Sequence, residues 1–270
     1  MTLSTDLARS GARLGADHLA HARIHLKRLE ELPEPARPRT PEEAYACQDL
    51  LVERLLAHYG GSVIGYKIAC TNRMAQELLH VDAPFHGKML SATTQASPGR
   101  IARGDFFMCV MEAEFAFRMG RDLASPGRPF AIEEVSDAVE GLLPGLEIVD
   151  SRFNSWTTVG APSLIADNAC HGAWIKGKLL EDWRRLDLAS QEVRLLVNGA
   201  VREKGSGSAV LGHPLNALVW LANALAARGQ RLQAGDYVTT GVTTNIYLAE
   251  RGDVVRAEFG PVGSAEVVFE

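Results

Sequence analysis

Short runs of alternating apolar and polar residues dominate the chain after residue 62. The run at 110–119, VMEAEFAFRM, alternates with the period of a β-strand, because residues i and i+2 of a strand share a face. Similar texture predicts strands at 63–68, 107–119, 144–149, 172–177, 192–198, 236–240 and 254–269. Most of the chain is therefore predicted to be rich in β-structure.

Helical spacing of apolar residues is found in three stretches. One covers about residues 4–32, and another begins at His213-Pro214 and ends near Gly229. Between them, Thr40 and Glu43 form a capping box for a helix from Pro41 to about residue 59. Helices that precede a region of strands indicate an α+β fold. We expect an N-terminal helical segment at 1–61 and a β-rich catalytic domain at 62–270.

The amino-acid composition limits the expected binding partners and the expected cellular compartment of the protein. The 270 residues are 46% hydrophobic and carry a formal net charge of −5, which is ordinary for a globular protein but offers no positive field. Nucleic acid and anionic membranes are therefore not expected as partners. The four cysteines have no zinc-type spacing and are expected to be reduced thiols. The chain shows no secretion signal or long apolar span, so we expect a cytoplasmic protein.

Three acidic residues are the strongest candidates for chemistry. Glu112 and Glu114 share one face of their strand, and Glu147 lies within the apolar run LLPGLEIV at 142–149. A buried charge without a partner is costly, and three convergent carboxylates would suit Mg²⁺ or Mn²⁺. A solvated strand face or a structural ion-pair network would explain the same residues. The spacing alone leaves these alternatives open.

Other polar residues fall in places where a site could form. Lys67 interrupts an otherwise apolar strand, although its ammonium could equally reach out to solvent. Asn168 follows Asp167 near a strand entry, where turn chemistry is an alternative explanation. Ser208 and His213 flank a predicted helix start, whose free N–H groups could meet a substrate carboxylate or simply be capped. Together these groups would suit a 2-oxo acid whose oxygens chelate a cation and whose enolate is stabilised by positive charge. No organic cofactor is needed for such chemistry.

The chain resembles the fumarylacetoacetate hydrolase superfamily, in its hydratase and decarboxylase branch, typified by 2-oxopent-4-enoate hydratases of aromatic catabolism. The resemblance covers nearly the whole chain. It is carried by EAYACQ at 43–48, GYKI at 65–68, EAE at 112–114, LPGLE at 143–147, ADNA at 166–169, GHPLNA at 212–217 and GS at 263–264.

This resemblance implies a fold, a metal site and an assembly. The fold would be the β-rich fumarylacetoacetase C-terminal-like fold with N-terminal helices, forming a homo-oligomer, alone or in complex with a related decarboxylase or hydratase. Lys67 would be the active-site cation. The divalent cation, Mg²⁺ or Mn²⁺, would be held by Glu112, Glu114 and Glu147, and substrate contacts are expected from Asn168, Ser208, His213 and Thr240.

One motif departs from the hydratase pattern. Hydratases tend to show VDxPDFG where this chain has VDAPFHG at 81–87, so that Phe85 replaces an acid that is a candidate proton carrier. Asp82 is retained, and His86 could carry the proton instead. The leading hypothesis is a divalent-metal-dependent hydratase of a 2-hydroxydienoate or 2-oxoalkenoate. A 4-oxalocrotonate-type decarboxylase, an acylpyruvate C–C hydrolase and a non-catalytic partner subunit are the alternatives.

Overall fold

The computed structural model describes residues 2–270, with side chains from residue 9 onward. This range contains six α-helices and thirteen strands. The helices are α1 (Thr2–Ile24), α2 (Pro41–Tyr59), α3 (Arg73–Leu79), α4 (Ile132–Asp137), α5 (Ala161–Ala166) and α6 (Pro214–Ala227). The strands are β1 (Val63–Ala69), β2 (Phe85–Leu90), β3 (Thr94–Ala96), β4 (Gly99–Ile101), β5 (Val110–Met119), β6 (Val139–Val149), β7 (His171–Lys176), β8 (Glu192–Val197), β9 (Ala200–Ser206), β10 (Tyr237–Thr239), β11 (Tyr247–Leu248), β12 (Val254–Glu258) and β13 (Ser264–Phe269).

Two sheets hold the strands. The larger sheet has the order β2-β1-β10-β5-β6-β7-β3, and β11 pairs with one end of β5. The smaller sheet has the order β4-β13-β12-β8-β9. The main hydrophobic core contains side chains from both sheets and from α6. The predicted α+β class with N-terminal helices is confirmed.

The long antiparallel pair β5 and β6 forms the centre of the larger sheet. Its register runs from Val110 opposite Val149 to Met119 opposite Val139. Both strands are buried along almost their whole length, so the alternation in β5 does not mark a wet face. Glu114 and Glu147 therefore lie inside the protein, whereas the Arg118–Glu140 ion pair at the other end of the two strands is partly exposed.

The N-terminal helices build a second core against the edge of the larger sheet. Leu19 of α1 and Leu51 of α2 are fully buried there, together with Phe85 of β2 and Leu164 of α5. The two helices approach closely at Gly15, where an added Cβ would lie 2.9 Å from the Cys47 sulfur of α2. The proposed division at residue 61 stays a prediction, and this core joins residues from both sides of it.

The capping residues of α2 are those that the sequence predicts. The Thr40 side chain accepts a hydrogen bond from the Glu43 backbone N–H at 3.3 Å. The Glu43 carboxylate accepts from the backbone N–H of Arg39 at 2.7 Å rather than from that of Thr40. Gly60 ends the helix with φ +74°.

Several element boundaries differ from the predicted ones. The first helix ends at Ile24 rather than near residue 32, because Leu26 adopts a left-handed conformation with φ +49°. The predicted strand 254–269 is two strands, β12 and β13, joined by a turn at Gly260–Val262. A turn that brings two apolar alternating runs together is not visible in their periodicity.

One stretch, Gly207–Ala227, is long and apolar enough by length and composition to cross a membrane. Most of it is helix α6. Leu218, Leu221 and Leu225 of α6 are fully buried in the main core. Packing inside the protein therefore accounts for the apolar character of this helix.

Candidate active site

The three glutamates come together on the central strands. The register of β5 and β6 places Glu112 directly opposite Glu147, and Glu114 lies two residues along on the same face. One carboxylate oxygen from each residue lies within 4.8 Å of the others. Glu114 and Glu147 are fully buried, and Glu112 is half-buried. We call Glu112, Glu114 and Glu147 the glutamate cluster.

Two basic side chains from neighbouring strands reach the cluster. Lys67 of β1 places Nζ 3.3 Å from Oε1 of Glu147 and donates to the Ala169 carbonyl oxygen at 3.1 Å. His171, the first residue of β7, lies with Nδ1 2.8 Å from the same Oε1. Both basic residues are buried. Glu147 therefore has a cation and an imidazole beside one oxygen, which leaves its other oxygen for a further partner.

The electrostatics of the cluster are uneven. Burial, reinforced by the other two carboxylates, raises the pKa of Glu114 well above its ordinary value. Burial also raises the pKa of Glu112 to about 6, against the opposing effect of Lys67. For Glu147 burial acts in the same direction, but Lys67 and His171 outweigh it and lower the pKa.

The charge of Lys67 is secured by the same neighbours. Burial disfavours its ammonium form, but the carboxylates, with Glu147 foremost, raise its pKa above the ordinary value. Lys67 therefore remains a buried cation at neutral pH.

The segment 240–243, directly after β10, forms hydrogen bonds with β5 and with one residue of the glutamate cluster. The hydroxyls of Thr240 and Thr243 donate to the backbone carbonyls of Phe115 and Ala113 at 3.0 and 2.7 Å. Between them, the Gly241 N–H donates to Oε2 of Glu114 at 2.7 Å. Gly241 has φ +101°, and an added Cβ would lie 1.8 Å from the Thr71 hydroxyl oxygen. Only glycine can occupy this position beside the cluster.

A cavity of about 180 Å³ opens from the cluster to the surface. Lys67 and Glu112 line its buried end, together with Gly241 and Thr71. The remaining walls are mostly apolar, and α3 lies at the mouth. A small molecule in the cavity would therefore meet its polar partners at one end.

Unsatisfied oxygens test whether a cation fits. Oε1 of Glu114 and Oε2 of Glu147 are buried, and neither has a hydrogen-bond partner among the described residues. Buried carboxylate oxygens are rarely left without partners. Three converging carboxylates are hard oxygen donors of the kind that Mg²⁺ and Mn²⁺ prefer. The donor set, its geometry and its open oxygens fit a divalent cation.

Asn168 was expected to contact substrate, but its side chain forms hydrogen bonds with the backbone of Lys88 instead. Its side chain accepts from the Lys88 N–H at 2.7 Å and donates to the Lys88 carbonyl at 2.8 Å. Asn168, Ala169 and Cys170 all have left-handed backbone, with φ between +51° and +58°. This unusual run turns the Ala169 carbonyl oxygen toward Lys67, so Asn168 shapes the site through the backbone.

Three other residues that were expected to contact substrate form hydrogen bonds within the protein instead, and they do not line the cavity. The Thr240 hydroxyl is taken by the Phe115 carbonyl. Ser208 is exposed and shares a 2.8 Å hydrogen bond with Ser206. His213 caps α6, because its Nδ1 accepts from the Leu215 N–H at 3.1 Å. None of the three lines the cavity at the glutamate cluster.

His86 and Asp82, expected to carry protons, lie away from the cavity. On β2, residue 85 faces the cavity and residue 86 faces the opposite side, because neighbours in a strand alternate. His86 stacks on Tyr45 with 4.5 Å between ring centroids, and burial lowers its pKa to about 3. Asp82 is exposed and does not line the cavity. In this arrangement neither side chain reaches a molecule bound at the cluster.

The structure adds residues that the sequence did not single out for the site. His171, Gly241 and Thr71 all lie at the cluster, and the buried Thr71 hydroxyl has no partner in the described part of the chain. The position of His171 at the entry of a buried strand was the one available signal. Gly241 and Thr71 carry no local signal, because their role arises from contact between distant segments.

Comparison with known proteins identifies the family of this chain. Residues 70–269 match the family model described as fumarylacetoacetate (FAA) hydrolase C-terminal. The chain is 33% identical over 229 residues to the 2-keto-4-pentenoate hydratase of Paraburkholderia xenovorans strain LB400, covering 85% of this chain and 84% of the relative. It is 34% identical over 232 residues to the 2-hydroxyhexa-2,4-dienoate hydratase of Comamonas testosteroni, covering 85% and 86%.

A solved structure of the decarboxylase type is also similar. It is the 4-oxalocrotonate decarboxylase of Pseudomonas putida G7, complexed with magnesium and adipate. The TM-score is 0.89 at 27% identity, and the match covers 97% of this chain and 98% of that one. The described fold therefore occurs in a protein whose crystals hold a divalent metal and a dicarboxylate.

Proposed function

Because this chain belongs to the fumarylacetoacetate hydrolase family, in its hydratase and decarboxylase branch, we propose that it is a divalent-metal-dependent hydratase of 2-hydroxydienoates or 2-oxoalkenoates. The family and branch predicted from the sequence are confirmed. The observation that carries the proposal is the buried glutamate cluster with Lys67 at the end of an otherwise apolar cavity.

Glu112, Glu114 and Glu147 would hold the cation, Mg²⁺ or Mn²⁺. When bound, such a cation acts as a Lewis acid on the oxygens of a 2-oxo acid. His171 fixes the orientation of the Glu147 carboxylate through their 2.8 Å contact. The Gly241 N–H does the same for Glu114.

Lys67 would stabilise the negative charge that develops on the substrate's C2 oxygen. Its ammonium is buried and held by Glu147 and the Ala169 carbonyl, so it is oriented before substrate arrives. A preorganised charge in a dry site stabilises a developing enolate far more than the same charge does in water. Thr71, whose hydroxyl lacks a partner, would donate a hydrogen bond to a substrate oxygen at the same end.

A 4-oxalocrotonate-type decarboxylase is the second candidate, and Phe85 favours it. Phe85 lines the cavity where the hydratase pattern has an acid. Loss of CO₂ chiefly requires a stabilised enolate, whereas hydration also requires proton carriers that position water. Lys67 and the glutamate cluster would serve either reaction.

One assay tests the proposal. The protein with Mg²⁺ is offered 2-hydroxypenta-2,4-dienoate and, separately, 4-oxalocrotonate, and both loss of conjugated ultraviolet absorbance and CO₂ release are followed. Hydration of the first substrate without CO₂ from the second is expected. CO₂ release from 4-oxalocrotonate alone would favour the decarboxylase, and turnover of neither would favour a non-catalytic partner subunit or another 2-oxo acid.

Assembly and compartment remain part of the proposal. We expect a cytoplasmic homo-oligomer, either alone or associated with a related hydratase or decarboxylase. Size-exclusion chromatography with light scattering would measure the oligomer. A monomer at micromolar concentration would contradict the expectation.

A further inference from the structure

The walls of the cavity beyond the glutamate cluster are mostly apolar, from the inside to the rim. Phe85, Leu164 and Val242 are buried, and Trp156 is half-buried beside them. These side chains come from β2, α5 and the segments after β6 and β10. The part of a ligand that extends away from Lys67 would therefore contact hydrocarbon on several sides.

The rim of the cavity is also apolar, and its side chains are exposed to solvent. Met74 and Leu78 of α3 are 69% and 47% exposed, and Ile246 is 43% exposed. All three line the cavity. No residue of α3 is buried, so this helix packs little apolar surface of its own. Large exposed apolar side chains grouped at a cavity mouth indicate a surface that a ligand covers.

Charge is confined to the inner end. Lys67 and Glu112 are the only charged side chains among the described residues that line this cavity. Arg73 of α3 does not line the cavity; it is 91% exposed and pairs with Glu77 at 2.6 Å. A carboxylate at the far end of a ligand would therefore meet no opposite charge.

The polar side chains near the rim already have partners. Asn72 caps α3 by accepting from the Ala75 N–H at 2.8 Å. The Thr244 hydroxyl donates to the Asn245 carbonyl at 2.8 Å, and the Asn245 amide donates to Glu203 at 2.9 Å. These contacts commit the Thr244 proton and the Asn72 amide oxygen, and the amide N–H groups that Asn72 and Asn245 retain carry no charge to offset a ligand carboxylate.

From these observations we propose that the cavity selects 2-oxo acids with one carboxylate and an uncharged apolar tail larger than methyl, up to the size of a phenyl group. The inference rests on the proposed function for the binding of the 2-oxo acid head at Lys67 and the cluster. Beyond the proposed function, it specifies which tails the cavity accepts, and α3, Phe85 and Trp156 would determine this preference.

The size limit follows from the cavity volume. An apolar protein cavity of about 150 Å³ is large enough to hold benzene. The cavity here measures about 180 Å³ including the end at Lys67, and it is open at α3, so a phenyl-sized tail would reach the mouth. A five-carbon dienoate would leave apolar wall uncovered, and a longer tail would remove more hydrocarbon from water.

Binding of unreactive 2-oxo acids to the Mg²⁺-loaded protein tests the proposal by calorimetry. In the series 2-oxobutanoate, 2-oxopentanoate, 2-oxohexanoate and 2-oxo-5-phenylpentanoate, affinity is expected to rise about three- to fourfold for each added methylene until the wall is covered. Charge is tested with a pair of nearly equal shape. 2-Oxoadipate is expected to bind at least about tenfold more weakly than 6-methyl-2-oxoheptanoate, because its second carboxylate would be desolvated without a partner.

Two variants on α3 test the residues, where substitution risks little for the fold. Ala75→Leu should lower the ratio of 2-oxo-5-phenylpentanoate affinity to 2-oxobutanoate affinity at least about tenfold, since it fills the mouth. Met74→Arg should raise the affinity for 2-oxoadipate relative to its neutral analogue about fivefold or more. Met74→Gln is the uncharged control, and Val201→Arg adds the same charge on β9, outside the cavity.

The results of these binding experiments distinguish a failure of the proposed tail preference from a failure of the proposed reaction. A flat series, or 2-oxoadipate binding as tightly as its neutral analogue, would overturn the tail assignment even if 2-hydroxypenta-2,4-dienoate is hydrated. The expected gradient without turnover of any dienoate would overturn the proposed reaction and leave the tail assignment standing. Absence of binding by every 2-oxo acid would overturn both.

Discussion

Two groups of buried charge lie close together in sequence, one at the end of β6 and one directly after it, and they differ in how fully their side-chain oxygens are hydrogen-bonded. The glutamate cluster contains Glu147. The second group, which we call the Arg152 network, consists of Arg152, Asp150 and Asp167. It begins directly after the strand at Asp150.

The Arg152 network is satisfied by the protein itself. Arg152 Nε lies 2.8 Å from Oδ1 of Asp167, and the Arg152 backbone N–H donates to Oδ2 of Asp167 at 3.0 Å. Asp150 accepts from the N–H groups of Phe107 and Met108 at 2.8 and 2.6 Å. No side-chain oxygen or nitrogen of the network lacks a partner within the described residues.

The contrast shows which buried charges point to function. In the glutamate cluster, acids outnumber the adjacent cation, and two oxygens remain open. Such an arrangement is unfavourable for the protein alone. A raised carboxylate pKa does not separate the two groups, because burial raises the pKa of Asp167 as well. Buried charge alone did not distinguish the two groups, but the count of unpaired oxygens does.

The largest expected effect comes from Glu114→Gln. It keeps the shape of the side chain but removes a ligand charge, so activity with Mg²⁺ should fall at least about 10³-fold. The metal-free protein should become more stable by about 1–2 kcal/mol, since like-charge repulsion and the burial of a carboxylate are both relieved. Steady-state kinetics and urea denaturation measure the two quantities. Glu133→Gln, at an exposed position of α4, serves as the control. Unchanged activity would remove Glu114 from the ligand set.

The matched change in the Arg152 network should act in the opposite way on stability. Asp167→Asn leaves the Arg152 guanidinium buried with less compensation, and about 3–5 kcal/mol of unfolding free energy should be lost. The same denaturation experiment measures this loss, with Asp137→Asn at the exposed end of α4 as the control. If Asp167→Asn were as stable as the wild type, the view of this network as a structural element would be wrong.

A smaller effect is expected at His171, which orients Glu147. His171→Phe should weaken metal binding about 10- to 100-fold. His171→Asn, which can still donate a hydrogen bond, should recover part of that loss. Isothermal titration of the metal into both variants gives the comparison. Equal affinity of the Phe variant and the wild type would show that the 2.8 Å contact does not position the ligand.

The smallest effect concerns pH. Burial raises the pKa of Glu112 from 4.5 to about 6, so the metal-free folded protein holds a proton that the unfolded chain releases between these values. Its contribution to stability is present below pH 4.5 and is lost as the pH rises through 6. Metal binding requires the ionised carboxylate, so affinity should instead increase about tenfold from pH 5 to pH 7. The metal-induced rise in Tm at pH 5, 6 and 7 measures this. A rise that is constant with pH would contradict the assignment of Glu112.

Much of the inner site could be predicted from the sequence, because strand periodicity is a local property. It placed Glu112 and Glu114 on one face of β5. It did not show that this face is covered, since the segment containing Gly241 that covers it follows more than 120 residues later. The pairing of Glu147 with Glu112 depends on register, which the individual strands do not specify.

The proton carriers and substrate contacts were harder to predict for a related reason. Strand alternation places Phe85 and His86 on opposite faces of β2, but both faces are buried, so the side of the cavity was not apparent. Asn168 lies in a motif that suggests a site, yet its side chain pairs with Lys88, which is 80 residues away. The apolar walls were not predicted because they come from several separate segments.

Titration of Mn²⁺ into the metal-free protein, followed by electron paramagnetic resonance, tests the central claim most directly. We expect one tightly bound Mn²⁺ per chain in the wild type and in Glu133→Gln, and loss of that site in Glu114→Gln. Equal binding by Glu114→Gln and the wild type, or no tight site in either, would contradict a cation held by the glutamate cluster.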